Sequence, residues 1–307
     1  MRVYGHETHQ LIDREQELMS LVCLNDAGLS PPLYGRFQNG ICYGFVDGVP
    51  FTVEDMRKTD KGEDFVSTCL LVLILIYRTA QLVARALAKF HMVDVYGKSY
   101  KQPSVFNILD KWIEVVARGR ASQKTLKQRG SCQRSAALFS DHFLKSELEI
   151  LKSRLVPLDA DVCYCHNDLL AGNILYCLSA DGSERVRFID FEYGNYNYVA
   201  WDIVNHFNEM MGYSVDLEKF PSTQFRTQWI AEYVRCYNKK KFVPLGIQEQ
   251  IDKLLVHTLY FAPCSHFFWG VWSLAQAFYS LNDFDYIEYA ERKLNAYLST
   301  KHLLPSA

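Results

Sequence analysis

The chain has 307 residues, 49% hydrophobic, 14% aromatic and 22% charged, the composition of an ordinary folded protein with room for about two structural units. Lys and Arg total 33 against 35 Asp and Glu, and a net charge of −2 excludes the broad positive footprint of a nucleic-acid or anionic-lipid binder. Nine scattered cysteines without a C-x-x-C pair argue against a zinc ribbon or disulfide framework and fit a reducing cytoplasm, and no apolar run is long enough for membrane insertion.

In chain order, Arg2-Val3-Tyr4 is strand-like, and residues 13–27 predict a helix with Asp13 as its cap and Leu18, Leu21, Val22 and Leu24 as its apolar side. Residues 33–37 and 41–46 predict two strands joined at an Asn39-Gly40 turn. From residue 51 the pattern turns helical. Residues 79–91 place Leu82, Ala86, Leu87 and Phe90 on one face, and helices are expected over 104–116, 135–155, 225–237, 247–279 and 284–298. One stretch of strand and loop, 162–202, interrupts them. The reading is an α+β, two-lobed fold: a small mixed lobe over 1–50 and a mostly helical lobe over 51–307, with a ligand cleft between them.

Within that stretch lies His166-Asn-Asp168-Leu-Leu-Ala-Gly-Asn173, an H-x-D-x-x-x-x-N pattern, followed after a short hairpin by Phe188-Ile-Asp190. Phosphoryl transfer needs one carboxylate to accept the proton of an attacking hydroxyl, and an amide and a second carboxylate to hold Mg2+ at the phosphates. The spacing supplies Asp168 as base and Asn173 and Asp190 as metal ligands. Trp269 and Trp272 are three apart on an expected helix and share a face with His266 and Gln276, while Glu209 closes the polar run from Asp202. Aromatic faces beside a carboxylate hold a small organic cation at ~0.5 to 2 kcal/mol per cation–π contact, although such spacing is more often simply core.

Cys165-His-Asn-Asp-Leu-Leu-Ala-Gly-Asn-Ile-Leu-Tyr176, Phe188-Ile-Asp-Phe-Glu-Tyr193, Asp202-Ile-Val-Asn-His-Phe-Asn-Glu209 and Ser265-His-Phe-Phe-Trp-Gly-Val-Trp272 resemble the choline/ethanolamine kinases. The resemblance runs from Arg2 to about Tyr297. It implies a protein-kinase-like fold, ATP as co-substrate with Mg2+, and the same roles for Asp168, Asn173 and Asp190. It also implies an amino-alcohol pocket made by Glu209, Trp269, Trp272 and Tyr289, and Arg2 with Glu17 as the ATP-side basic residue and its helix partner. Asp202, His166 and His91 are read as structural, His166 orienting the catalytic loop without transferring protons. The implied partners are the amino alcohol and ATP, with a homodimer left open.

Two departures stand out. No glycine-rich hairpin precedes Arg2, so either the protein begins upstream or the N-terminal lobe is truncated and its phosphate clamp lost, in which case turnover should be weak. Residues 62–77, apolar without a helical period, have no counterpart in the family pattern and read as a retained intron, or else as an extension of the helix that follows. The leading expectation is ATP-dependent phosphorylation of ethanolamine to phosphoethanolamine, the first step towards phosphatidylethanolamine. Leu169-Leu170 and His206-Phe-Asn-Glu209 favour it over choline kinase. A catalytically impaired kinase-like protein is the alternative from another class, and an aminoglycoside-type phosphotransferase would leave the Trp269/Trp272 face unexplained.

Overall fold

The computed structural model describes residues 1–5, 8–57, 70–95, 101–122, 139–239 and 245–306, with only the backbone of 70–78. β1 (Arg2–Val3), β2 (Leu33–Phe37) and β3 (Gly40–Tyr43) form an antiparallel sheet in the order β1-β3-β2. The two-residue turn is Gln38-Asn39, not Asn39-Gly40, and β3 ends at Tyr43 instead of continuing to residue 46. Gly40 is required for a different reason. β1 lies so close that a Cβ at Gly40 would sit 2.3 Å from the Arg2 carbonyl oxygen. Glycine at this place lets the strand bearing Arg2 pair at all.

Helix α1 (Arg14–Asp26) is capped as expected, the Asp13 carboxylate accepting from the amides of Glu15 and Gln16, each at 3.1 Å. Its buried face is less apolar than the sequence suggests. Val22 is exposed, and Glu17 and Ser20 are buried with Leu18, Leu21 and Leu24. Ser20 accepts the Tyr164 hydroxyl from the larger lobe, and Glu17 meets arginines described below. The polar part of this face is thus what ties the small lobe to the site.

Val49–Pro50 (β4) already pairs with Leu175 and Tyr176, so the chain joins the larger lobe's sheet just before residue 51. That sheet, β4-β6-β7, contains the hairpin of β6 (Ile174–Leu178) and β7 (Glu184–Phe188), while β5 (Val162–Cys165) pairs with β8 (Asn195–Tyr198). After α2 (Val53–Arg57), one helix, α3 (Leu70–Phe90), takes in the expected 79–90 segment and the backbone from Leu70. An apolar run without helical period is therefore helical from residue 70, and residues 62–69 lie outside the described residues. The buried face of α3 is Val83, Ala84, Leu87, Ala88 and Phe90, and Leu82 and Ala86 are only half-buried.

Helices α4 (Val105–Ala121), α5 (Asp141–Leu155), α6 (Val199–Glu209), α7 (Thr223–Asn238), α8 (Ile247–Tyr279) and α9 (Tyr286–Thr300) complete the lobe. The start expected for α5 at residue 135 is outside the described residues. Asp202 is in the first turn of α6, not in a loop, and all of α6 from Val199 to Asn208 is buried. Its polar stripe, Asp202, Asn205 and His206, is buried along with its apolar face. The helix packs on α8, β5 and β8, and its polar side chains must find partners inside. Among the described residues no helix is long and apolar enough to cross a membrane.

Helix α9 packs along α8 at Gly270, where a Cβ would meet Leu294 Cγ at 2.6 Å. Gly270→Ala should force the helices apart and destabilise by about 1 to 3 kcal/mol, the usual cost of overpacking. Urea unfolding of native and variant chains checks this, and equal stability would show that the interface can yield.

Candidate active site

The site is organised by one buried carboxylate. Asp202 Oδ2 accepts the His166 amide and Oδ1 the Asn167 amide, both at 2.8 Å, and Oδ2 also meets His91 Nε2 at 2.9 Å. Burial opposes the charge on Asp202. The hydrogen bond and charge of His91 nevertheless hold its carboxyl below the usual range, so it stays ionised. Asn167 adopts φ 65°, a costly conformation for a non-glycine residue. It is held there from all sides: its amide donates to Tyr193 O at 2.9 Å, and its Oδ1 accepts from Asn197 and Trp201, each at 3.1 Å. The Asn205 amide adds a bond to its carbonyl at 2.8 Å. The twist at Asn167 presents Asp168 to the cleft.

His166 is completely buried and lies between two parts of the site. Its Nδ1 faces the Asp168 amide at 3.3 Å and its Nε2 the Ile189 carbonyl at 3.0 Å, an arrangement that suits a neutral ring donating from Nε2. Burial lowers its pKa, in keeping with a positioning role and not a proton carrier. The Ile189 amide in turn donates to the Asn173 carbonyl at 3.1 Å, and Ile174 pairs with Phe188 across the hairpin. These bonds bring Asn173 and Asp190 to the same end of the hairpin as Asp168.

Asn173 Nδ2 donates to the Asp168 carbonyl at 2.8 Å and to Asp168 Oδ2 at 3.1 Å, which turns its amide oxygen away from Asp168. Asp190, at φ 64°, accepts Arg2 Nη1 at 2.6 Å, and Arg2 also reaches Glu17 at 3.2 Å and Glu192. Arg14, unforeseen from the sequence although it stands three residues before Glu17, pairs with Glu17 at 2.8 Å and Glu192 at 3.1 Å. Burial and the charges of Glu209, Asp190 and Glu192 raise the Asp168 carboxyl well above the usual carboxylate range. Two guanidiniums thus face three carboxylates, Glu17, Asp190 and Glu192, and the surplus is negative. An amide oxygen and a carboxylate beside that surplus are the hard donors that suit Mg2+.

Next to Asp168 stands an aromatic group. Trp269 and Trp272 meet edge to face with centroids 5.5 Å apart, and Tyr193 meets Trp269 the same way at 5.5 Å. Their indole N–H groups are satisfied by Asn205 Oδ1 at 2.7 Å and by the Tyr193 hydroxyl at 2.8 Å. Trp269 is buried and Trp272 half-buried, and His266 on the same helix is buried with its Nδ1 unpartnered among the described residues. Glu209, at the end of α6, pairs with Lys293 at 2.9 Å, and the Lys293 ammonium stands 5.3 Å over the Tyr289 ring. Lys293 is a buried cation that sequence reading missed, because beside Arg292 it looks like part of a solvated helix face. Tyr193 ends the motif that begins at Phe188, but the sequence assigned it no role.

A two-lobed α+β molecule with this catalytic loop, hairpin and helical lobe has the protein-kinase-like fold. The solved structure of Plasmodium vivax ethanolamine kinase superposes with a TM-score of 0.78 at 25% identity, over 96% of this chain and 74% of that one. Choline kinase from Cryptosporidium parvum shares the fold with a TM-score of 0.73 at 20% identity, covering 98% of this chain and 81% of that one. The sequence model for choline/ethanolamine kinase matches residues 1–298. Mus musculus ethanolamine kinase 1 is 33% identical over 98% of this chain and 76% of its own length, and probable ethanolamine kinase A of Dictyostelium discoideum is 30% identical over 98% and 76%. The chain belongs to the choline/ethanolamine kinase family.

The pH response of the scaffold follows from its buried histidines. His206 Nδ1 faces the Leu169 carbonyl at 3.1 Å, and burial lowers the ring pKa to about 4. As pH falls below ~6.5 the unfolded chain takes up a proton there that the folded chain refuses, so this residue's contribution is lost towards acid. The stability difference between the native chain and His206→Gln should shift against the native chain by about 1.4 kcal/mol per pH unit between pH ~6 and ~4.5. Urea unfolding across that range reads it, and a constant difference would show that the folded ring protonates normally.

Proposed function

We propose that the protein transfers the γ-phosphoryl group of ATP to the hydroxyl of ethanolamine, giving phosphoethanolamine and ADP in the cytoplasm. The observation that carries the reading is the convergence of Asp168, Asn173 and Asp190 at one end of the β6–β7 hairpin, with the Tyr193, Trp269, Trp272 and Glu209 group beside Asp168. Asp168 accepts the proton of the substrate hydroxyl as its oxygen attacks phosphorus and ADP departs. A carboxylate raised by its surroundings is a better base for that task than an ordinary one. Asn173 and Asp190 would hold Mg2+, which supplies charge neutralisation at the phosphates. Arg2, now shared among Glu17, Asp190 and Glu192, exchanges part of this pairing for phosphate oxygens when the nucleotide enters.

The relatives that support ethanolamine as acceptor are named ethanolamine kinases and are about one-third identical. The chemistry agrees. A primary ammonium brings three N–H donors, and Glu209 Oε2 and the Tyr193 hydroxyl are acceptors that a quaternary amine leaves unpaired. Tyr289 stacks on Tyr213 with centroids 5.5 Å apart, and its ring already lies near the Lys293 ammonium, which suits it to the rim of the same pocket. All side chains in this reading come from one copy of the chain.

Two variants and one competition test it. Asp168→Ala should lower kcat at least ~100-fold while ATP still binds, the low end for a positioned acid–base group. Asp190→Ala should abolish the Mg2+ dependence of nucleotide binding, read by calorimetry with and without Mg2+. Folded variants behaving like the native chain would remove these roles. With ethanolamine and choline in competition, kcat/KM should favour ethanolamine. A higher value for choline would make the protein a choline kinase, and no acceptor-dependent ADP formation would leave a nucleotide-binding protein.

A further inference from the structure

Behind the catalytic loop, on the side away from Asp168, a second group of reactive side chains is buried together. Cys163 and Cys165 alternate with Tyr164 along β5 and so share a face, their sulfurs 3.5 Å apart. His91, just past α3, brings its imidazole to the same point, and one of its nitrogens and the two sulfurs all lie within 4.8 Å of one another. His91 Nε2 is held by Asp202 at 2.9 Å, and Nδ1 faces the Tyr233 hydroxyl at 2.9 Å. Cys163 and His91 line a cavity of about 790 Å³, with Cys23, Lys89, Val162 and Tyr196 among the other walls. Neither cysteine nor the cavity takes part in the phosphoryl-transfer site, and His91 touches that site only through Asp202.

We infer that His91, Cys163 and Cys165 form a buried binding site for a thiophilic metal ion, Zn2+ or Cu+, beside this cavity. Two thiolates and an imidazole are the soft and borderline donors that select such ions over Mg2+. Mutual distances under 4.8 Å are those of ligands around a single centre. A metal-bound histidine commonly gives its other N–H to a carboxylate, and Asp202 already holds Nε2 in that way, so the ion takes Nδ1. Tyr233 then surrenders its bond to Nδ1.

Before an ion binds, the site holds one thiolate-prone cysteine, Cys163, beside a thiol raised by burial at Cys165 and an imidazolium at His91. Burial alone would raise the Cys163 thiol, but the hydrogen bond with Cys165 and the charge of His91 bring it down instead. On binding, the imidazolium loses its Nδ1 proton and the Cys165 thiol its proton, both to solvent, and no electron moves. Because Asp202 also carries the amides of His166 and Asn167, the ion would be linked to the catalytic loop through one carboxylate.

Cobalt spectroscopy of the full chain tests the site, with excess Mg2+ present to occupy oxygen ligands. Titration with Co2+ under reducing conditions should give a saturable thiolate-to-cobalt charge-transfer band and tetrahedral visible bands at one equivalent, and Zn2+ should displace them. Cys163→Val, chosen to suit a buried strand, should lose the charge-transfer band, whereas Cys236→Ser should keep it. His91→Gln should weaken binding at least ~10-fold, the scale on which a lost ligand or its supporting partner acts. Circular dichroism establishes that each variant is folded, and Cys165→Ala serves in place of any that is not. No sulfur band in the native chain, or a band retained in both cysteine variants, would overturn the inference. A band that arises only with several equivalents of Co2+ and persists in His91→Gln would assign it to adventitious thiol binding and overturn it as well.

Discussion

The Asp202 carboxylate is the contact on which the rest of the site depends. It takes two consecutive backbone amides of the catalytic loop and a histidine from the end of α3, and it does so with no exposure to solvent. Hydrogen bonds to a charged group contribute about 1.5 to 3 kcal/mol each, and burying the charge without them would be prohibitive. The loop, the histidine and α6 therefore form together or not at all. What this secures is the left-handed turn at Asn167, a conformation that would otherwise relax and withdraw Asp168 from the cleft.

A second constraint is charge. The small lobe brings Arg2 and Arg14 to the cleft, and the larger lobe answers with Asp190 and Glu192, while Glu17 is a carboxylate of the small lobe's own. The arginines tie the two lobes across the cleft, yet leave it negative. Around Glu209 the balance is met from within, Lys293 neutralising much of its charge. The two halves of the site are thus prepared differently: one lacks positive charge where a nucleotide and its cation would sit, and the other is already tempered where a single small cation would sit.

Much of this was legible in the sequence because the motif residues are local. His166, Asp168, Asn173 and Asp190 lie within one hairpin and its approach, and the spacing alone placed them together. Asp13 capped α1 as its type and position require. The reading failed where a partner comes from far along the chain. Asp202 reads as structural and does fix the loop, but its place inside α6 and its histidine partner 111 residues away are not visible in the sequence, and Glu17 and Ser20 break the apolar face of α1 because their partners are on other elements. Gly40 looked like half of a turn, whereas the approach of β1 is what requires it. Lys293 and Glu209 are 84 residues apart, and no periodicity could pair them. The cysteines looked scattered for the same reason: Cys163 and Cys165 acquire meaning only when His91, 72 positions earlier, folds against them.

Amide hydrogen exchange at His166 and Asn167 in Asp202→Asn tests most directly whether one carboxylate sets the catalytic loop. Asparagine keeps the shape but loses the charge and turns an N–H donor towards one of the two amides. The structure predicts that these two amides exchange far faster than in the native chain, while amides in α8 keep their protection. Unchanged protection at His166 and Asn167 in a folded Asp202→Asn chain would contradict it and mean that the loop is held by its other contacts.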